Sequence, residues 1–429
     1  MTLVELLAVL ITVFLLLSMP IAFALILAAG AAIWWSGANL MIVPQQVMSG
    51  IDSFTLLAVP FFLLAGDLMT AGGMTTRLLD FTNALVGRFR GGLAMSNVAS
   101  ATFLAGISGS AVADTSALGK VLIPGMIRAG YAPAFAAALT ASANIVGPII
   151  PPSIAFILIG VLTNQSITRL FLAGLVPGLL YSAAMMVVAV WISRRRNYPT
   201  HHRAGLAEIG STFRRAAWAL MMPALIIVGI RSGVFNVTEC SAVAVVYALF
   251  VGTCVYRELT LAAIWRCLVS TGRSTAIVMI VLGGAQVVSW LLAYENVPQQ
   301  MASAMLSFSQ DPWVFLLMVN VLLLLIGTFM ENGPAMVMLV PVLYPIANAL
   351  GIDPIHFGVL ISVNLVIGLI TPPVAICTNI GAMIARVSTR AASREVLPFL
   401  AAAVAVQLMI TYLPWLSLWL PDLVMGGKG

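Results

Sequence analysis

Apolar stretches separated by short polar segments run through almost the whole chain. They lie at residues 6–35, 55–71, 92–107, 121–163, 170–193, 217–232, 238–256, 274–294, 313–330, 335–350, 355–386 and 396–420. Backbone polar groups need hydrogen-bond partners in lipid, which leaves helices or closed barrels, and these runs lack the alternation of barrel strands. The pattern therefore predicts an all-α polytopic membrane protein.

The first run is expected to form two helices that break near Pro20, because proline interrupts a helix.

Composition agrees with this pattern and limits the possible functions. Of the 429 residues, 61% are hydrophobic and only 8% are charged, so no segment is long and polar enough for a soluble catalytic domain. The net charge of +6 could suggest a nucleic-acid partner, but no aromatic-basic surface is available for one. We therefore predict no nucleic-acid binding and place the function within the lipid bilayer.

The interval at residues 194–215 is the one clearly polar part of the chain. It holds six of the twenty basic residues and lies close to the middle of the sequence. An excess of arginine marks cytoplasmic loops of membrane proteins. We predict a first half at 1–193, a basic cytoplasmic connector at 194–215 and a second half at 216–429.

The two halves match each other at a constant offset of 221 residues. The identities at this offset, without a gap, include nine at Gly, Pro or Arg. They pair Pro124 with Pro345, Gly130 with Gly351, Pro133 with Pro354, Gly147 with Gly368, Pro151 with Pro372, Pro152 with Pro373, Gly160 with Gly381, Arg169 with Arg390, and Pro177 with Pro398. Chance agreement would favour the abundant Leu, Ala and Val, so an internal duplication is indicated. Repeats that carry interrupted apolar segments are typical of secondary transporters.

The Pro pairs predict interrupted helices in both halves. Proline removes amide donors and disfavours helix before it, so carbonyls at 147–150 and 368–371 should leave the helical ladder. With the hydroxyls of Ser108, Ser110 and Thr371 they could bind a hard cation such as Na⁺, and the positive end of a half-helix could face an anionic substrate. Ser110, Asn144 and Asn364 are predicted to line the substrate path. The alternative is that these residues only kink packed helices.

Acidic residues at membrane depth are expensive and indicate function. Asp114 and Glu331 lie inside interrupted segments, so either could favour a cation or carry a proton. A position facing water, or a helix cap, is the alternative for both. Asp67 and Glu239 are interpreted as capping or interface groups.

An enzymatic function finds little support in the sequence. Residues 106–109 are compatible with the GxSG turn of intramembrane serine proteases, which need a histidine base. His201 and His202 lie in the connector, and His356 is expected at the surface. No HExxH, Walker A or paired metal-ligand pattern occurs. We predict no enzyme, no organic cofactor and no transition metal, and expect the energy to come from an ion gradient or a partner.

Six motifs of the chain are distinctive: 107–114 (ISGSAVAD), 146–154 (VGPIIPPSI), 327–331 (GTFME), 341–346 (PVLYPI), 351–358 (GIDPIHFG) and 364–374 (NLVIGLITPPV). Together they resemble the large membrane subunit, DctM or M subunit, of TRAP (tripartite ATP-independent periplasmic) transporters. The resemblance extends over essentially the whole chain. It implies about 11–12 transmembrane helices with two re-entrant hairpins in an inverted repeat, and an elevator-type movement in the bacterial inner membrane.

The resemblance also implies ligands and partners. One sodium site would lie at Ser108, Gly147, Ile150 and Pro152, and the other at Gly327, Gly368, Thr371 and Val374. Expected partners are a small four-helix Q subunit (DctQ type) and a periplasmic substrate-binding P protein. Asp114 stands where the family often has small uncharged residues, so the resemblance assigns it no role.

These observations predict the permease subunit of a sodium-coupled importer of a small organic acid, such as a C4-dicarboxylate or sialic acid. Two alternatives remain open at this point: a non-translocating membrane scaffold and a proton-coupled antiporter.

Overall fold

The computed structural model describes residues 2–17, 19–87, 89, 91–199, 204–232, 234–297, 300 and 311–426. The elements assigned within these ranges are helices, and the bounds of the first half are as follows: α1 Leu3–Leu16, α2 Ile21–Trp35, α3 Ile42–Ile51, a 3₁₀ turn at Phe54–Leu57, α4 Ala58–Ala71, α5 Met74–Val86, α6 Gly92–Ser108, α7 Ala111–Arg128, α8 Pro133–Asn144, α9 Ile154–Thr163 and α10 Ile167–Arg195. The following helices are α11 Leu206–Arg231, α12 Val237–Phe250 with a π turn at Val251–Val255, α13 Leu261–Tyr294, α14 Pro312–Phe329, α15 Asn332–Ala349, α16 Pro354–Gly368, α17 Ile376–Ala385, α18 Thr389–Tyr412 and α19 Trp415–Met425.

The predicted all-helical membrane class is confirmed. Within the described ranges, seven helices are long and apolar enough to cross a bilayer, and several shorter apolar helices accompany them. The predicted break near Pro20 is also confirmed, since Pro20 stands at the N-cap of α2 and α1 ends at Leu16. Pro20 is favourable there because the first amides of a helix have no intrahelical acceptor.

Two series of five helices follow the offset of 221 residues. α6–α10 correspond to α14–α18, and the starts of the paired helices agree with the offset to within one residue. The series share five proline positions, among them both Pro pairs, so the same backbone interruption recurs in each. The division of the whole chain into two halves stays a prediction.

Helices α10 and α11 extend into the basic interval predicted as a connector. α10 ends at Arg195 and α11 begins at Leu206, so residues 194–215 are partly helical. His201 and His202, which the sequence placed in this connector, lie outside the described residues.

Helices α8 and α16 form the centre of the bundle and are buried along almost their whole length. The expectation that His356 lies at the surface was wrong, because this side chain is 2% exposed. His356 is in the first turn of α16, and Asp353 caps this turn by accepting from the backbone amides of Ile355 and His356. The first turn of α16 is buried because α14 and α18 pack against this helix.

Candidate ion and substrate site

The first hairpin, formed by α6 and α7, turns at two residues. α6 ends at Ser108 and α7 begins at Ala111. Gly109 has a φ of +64°, a conformation that glycine adopts at little cost. Ser110 caps α7, and its hydroxyl accepts from the amide of Ala113 at 3.4 Å. The amide of Ser110 in turn donates to Oγ of Ser108 at 3.3 Å, so the two serines form one turn.

The first break, residues 145–153, separates α8 from α9. It contains a cis peptide between Pro151 and Pro152, and its residues are all buried. Ser153 ends the break by donating from its hydroxyl to the carbonyl of Pro148 at 2.5 Å. Among the described residues, no hydrogen bond uses the carbonyls of Gly147, Ile150 or Pro152. The Pro pair predicted that carbonyls at 147–150 would leave the helical ladder, and those of Gly147 and Ile150 have done so.

The first hairpin and the first break meet at two glycines. A Cβ at Gly109 would lie 2.7 Å from the carbonyl oxygen of Pro152, and one at Gly147 would lie 2.9 Å from Oδ2 of Asp114. Both distances are shorter than ordinary van der Waals contact. A side chain at Gly109 would press on backbone and force the elements apart, and one at Gly147 would displace the carboxylate of Asp114. The structure therefore brings Gly147 and Pro152 to the turn that holds Ser108.

Asp114 joins this group from the first turn of α7. It is 2% exposed, and its Oδ1 accepts from Oγ of Ser108 at 2.5 Å. Its other oxygen, Oδ2, is buried without a hydrogen-bond partner in the described part of the chain. Carbonyls, a hydroxyl and a carboxylate oxygen are oxygen donors of the kind that hard cations bind. This set therefore fits Na⁺.

The second hairpin, formed by α14 and α15, meets the second break, residues 369–375, in the same manner. A Cβ at Gly368 would lie 2.3 Å from the carbonyl carbon of Gly327, so the two backbones touch. The break contains a cis peptide between Pro372 and Pro373. Residues 371–374 are partly exposed, unlike their counterparts in the first break.

Two predicted ligands of the second break already take part in hydrogen bonds. Oγ1 of Thr371 donates to the carbonyl of Ile367 at 2.9 Å, and the carbonyl of Val374 accepts from Nδ2 of Asn379 at 2.6 Å. Both oxygens keep lone pairs, because a hydroxyl and a carbonyl each have two. The structure thus places Thr371 and Val374 in the second break, and places Gly327 against Gly368.

A cavity of about 230 Å³ lies between the two hairpins. The starts of α7 and α15 line it, with Ser110 on one side and Glu331 and Asn332 on the other. Glu331 therefore faces this cavity. Ser274 of α13 also lines it, although the sequence analysis did not single this residue out.

A second cavity of about 480 Å³ also adjoins the Ser108–Ser110 turn. Ser110 and Ser274 line both cavities, and Asp114 and Arg266 line the second. Arg266, Ser270 and Ser274 are spaced by four residues on α13, which places them on one helix face. This regular spacing of polar residues in a mostly apolar helix was the sequence signal that could have found them.

Asn144 and Asn364 are buried but do not line either cavity. Asn144 donates from Nδ2 to the carbonyl of Thr140 at 2.8 Å. Asn364 donates to Oδ1 of Asn320 at 2.7 Å, within a buried group that includes Gln407. A substrate-lining role for Asn144 and Asn364 stays a prediction.

The two acids interpreted as capping or interface groups have such roles. Glu239 forms a capping box with Asn236 at the start of α12. Asp67 accepts from Oγ1 of Thr271 at 3.3 Å, which links α4 to α13.

Comparison with solved structures supports the fold. The chain is similar to the YdaH transporter of Alcanivorax borkumensis, whose crystal structure is described as revealing an unusual topology. The TM-score is 0.60 with 15% identity, over 87% of this chain and 88% of that one.

Sequence comparisons extend over nearly the same length. The sialic acid TRAP transporter large permease SiaM of Vibrio cholerae is 41% identical over 95% of this chain and 96% of its own. The 2,3-diketo-L-gulonate TRAP transporter large permease YiaN of Escherichia coli is 40% identical over 93% and 94%. The isethionate TRAP transporter permease DctMQ of Oleidesulfovibrio alaskensis is 40% identical over 94% of this chain but 64% of that longer protein. Residues 8–416 match the family described as the tripartite ATP-independent periplasmic transporter, DctM component. The chain therefore belongs to the DctM family of TRAP transporter large permeases, and is a multi-pass membrane permease subunit rather than an enzyme.

Proposed function

We propose that this subunit forms the transport pathway of a sodium-coupled importer of a small organic acid, by an elevator-type alternating-access mechanism. The observation that carries the proposal is the cavity between two hairpins, beside two breaks rich in oxygen donors. Secondary transporters place substrate and coupling ions where interrupted helices meet.

Sodium coupling is supported by the composition of the two breaks. The first offers Ser108 with the carbonyls of Gly147, Ile150 and Pro152. The second offers Thr371 with carbonyls at Gly327, Gly368 and Val374. Na⁺ bound at these places would hold each hairpin against its break and add positive charge beside the cavity. Neither break supplies the Cys and His ligands that transition metals prefer.

The cavity suits an anionic substrate because two helix N-termini line it. α7 begins at Ala111 and α15 at Asn332, and both starts belong to the wall. Amides at a helix N-terminus carry partial positive charge and bind carboxylates. Sialic acid and 2,3-diketo-L-gulonate, named for two relatives, are carboxylic acids. We therefore propose a carboxylate as substrate.

The partners follow from the family. A tripartite periplasmic transporter requires two further components, and we propose a small four-helix Q subunit and a periplasmic substrate-binding P protein. The length of the DctMQ relative supports the first, since this chain covers 64% of it. The P protein would deliver the organic acid to the periplasmic side of the inner membrane.

Uptake by reconstituted proteoliposomes tests the proposal. Vesicles with this chain, its Q subunit and loaded P protein should accumulate labelled substrate under an inward Na⁺ gradient. Equal uptake in choline buffer would reject sodium coupling, and equal uptake driven by a pH gradient alone would favour a proton-coupled antiporter. Absence of uptake with all components present would favour a scaffold.

A single substitution links uptake to the first break. Ser108→Ala removes one hydroxyl oxygen and should raise the Na⁺ concentration for half-maximal uptake by about tenfold, the effect of about 1.4 kcal/mol of binding free energy. Ser96→Ala is the matched control. Ser96 is also buried on α6 but bonds to Thr82, so its loss should leave the Na⁺ dependence unchanged.

A further inference from the structure

Asp114 gives the first break a charge that the second break lacks at the corresponding position. The offset of 221 residues aligns Asp114 with Ala335, which is also buried. Glu331 aligns with Ser110 instead, and it lines the cavity between the hairpins. The two places where a hairpin meets a break are therefore chemically different.

The carboxylate of Asp114 has no cationic partner in the described part of the chain. The ion pairs found there join Arg77 to Glu258, Arg169 to Asp422, and Arg196 to Glu395. An ionised carboxylate without a partner costs several kcal/mol when it is buried. The buried group is therefore neutralised either by a proton or by a cation from outside the protein chain.

The geometry directs one oxygen of Asp114 to a place where a cation could be held. Ser108 fixes Oδ1 through its 2.5 Å hydrogen bond, which sets the orientation of the carboxylate. Oδ2 then faces the backbone of Gly147 and keeps its lone pairs free. The carbonyl of Gly147 is among those without a hydrogen bond in the described ranges. A buried carboxylate oxygen without a partner thus lies against the backbone of Gly147, and the carbonyl of Gly147 has no hydrogen bond in the described ranges.

We propose that Asp114 is a direct anionic ligand of the cation in the first break, so that the first ion site is charged and the second is neutral. The inference rests on the proposed sodium coupling. Charge among the ligands raises the affinity of an oxygen site for a cation. The first site should therefore bind Na⁺ more tightly than the second, and Asp114 should account for the difference.

Sodium-dependent thermal stability tests this without any transport measurement. The full-length chain is purified in detergent with its Q subunit, and unfolding is followed while NaCl replaces choline chloride at constant ionic strength. Asp114→Asn and Asp114→Ser should each raise the Na⁺ concentration for the half-maximal increase in Tm at least tenfold. Asp114→Glu retains the charge and should lie closer to the wild type than Asp114→Asn.

Asp67→Asn is the matched control, because it removes an acid that lines the second cavity but bonds to Thr271. Its Na⁺ dependence should equal that of the wild type. A wild-type Na⁺ dependence in both Asp114→Asn and Asp114→Ser would overturn the assignment of Asp114 and leave the sodium proposal standing. A wild-type Tm that does not respond to Na⁺ would overturn both.

Discussion

Replacement of Gly368 by alanine tests the contact on which the second ion site depends. The added Cβ would lie 2.3 Å from the carbonyl carbon of Gly327 and 2.5 Å from its Cα and carbonyl oxygen. Carbon atoms in contact are normally about 3.5–4.0 Å apart, so the two backbones must separate by about 1 Å or more. Backbone atoms cannot rotate away as the end of a side chain can.

The expected cost follows from this crowding. Overpacking typically destabilises a core by about 1–3 kcal/mol, and the contact with three backbone atoms places Gly368→Ala at about 3 kcal/mol. Gly125→Ala is the matched control on α7. A Cβ at Gly125 would meet no atom within 4 Å, so this change should stabilise the helix by about 0.5–1 kcal/mol.

Thermal unfolding in detergent measures both variants, first in choline chloride and then with added NaCl. Gly368→Ala should unfold several degrees below the wild type and require more Na⁺ for stabilisation, because the second hairpin is displaced from the second break. Gly125→Ala should unfold at or slightly above the wild-type temperature. If Gly368→Ala and Gly125→Ala unfold at the same temperature, the close approach of Gly327 and Gly368 is refuted.

Three further substitutions test separate features. Thr371→Ala should raise the Na⁺ concentration for half-maximal uptake about tenfold. Arg195→Ala, at the exposed end of α10, should leave this concentration unchanged. Equal Na⁺ concentrations for the two variants would exclude a specific role for the Thr371 hydroxyl. Asn236→Ala removes the cap of α12 and should cost about 1 kcal/mol of stability in thermal unfolding, so an unchanged Tm would contradict the capping role. Arg169→Gln breaks the ion pair with Asp422, whose side chain is 42% exposed. Because exposed ion pairs are weak, the free energy of unfolding should fall by only about 1 kcal/mol. A fall of the same size in 1 M NaCl would argue against an electrostatic origin, since salt screens exposed charges.

The sequence determined the class of the fold and the places where its helices are interrupted. Lipid offers no hydrogen-bond partners to the backbone, and the apolar runs lack the alternation of barrel strands, so they were expected to form helices. Pro20 separates α1 from α2. α8 ends at Asn144 and α16 at Gly368, each shortly before a Pro pair, near the predicted positions. These are local effects of proline on its own backbone, which explains why a pattern of residues was sufficient.

Tertiary structure alone decided which side chains meet at the interruptions. His356 was expected at the surface, yet it is buried, because neighbouring helices and not its position in the segment set its exposure. Asp114 could have been a cap or a group facing water, and only the packing of α7 against the first break leaves its Oδ2 buried and without a partner in the described ranges. Ser274 joins the cavity across more than 150 residues of sequence from Ser110. Contacts of this kind depend on how helices cross, and helix crossing is set by the shape of complementary surfaces rather than by local sequence.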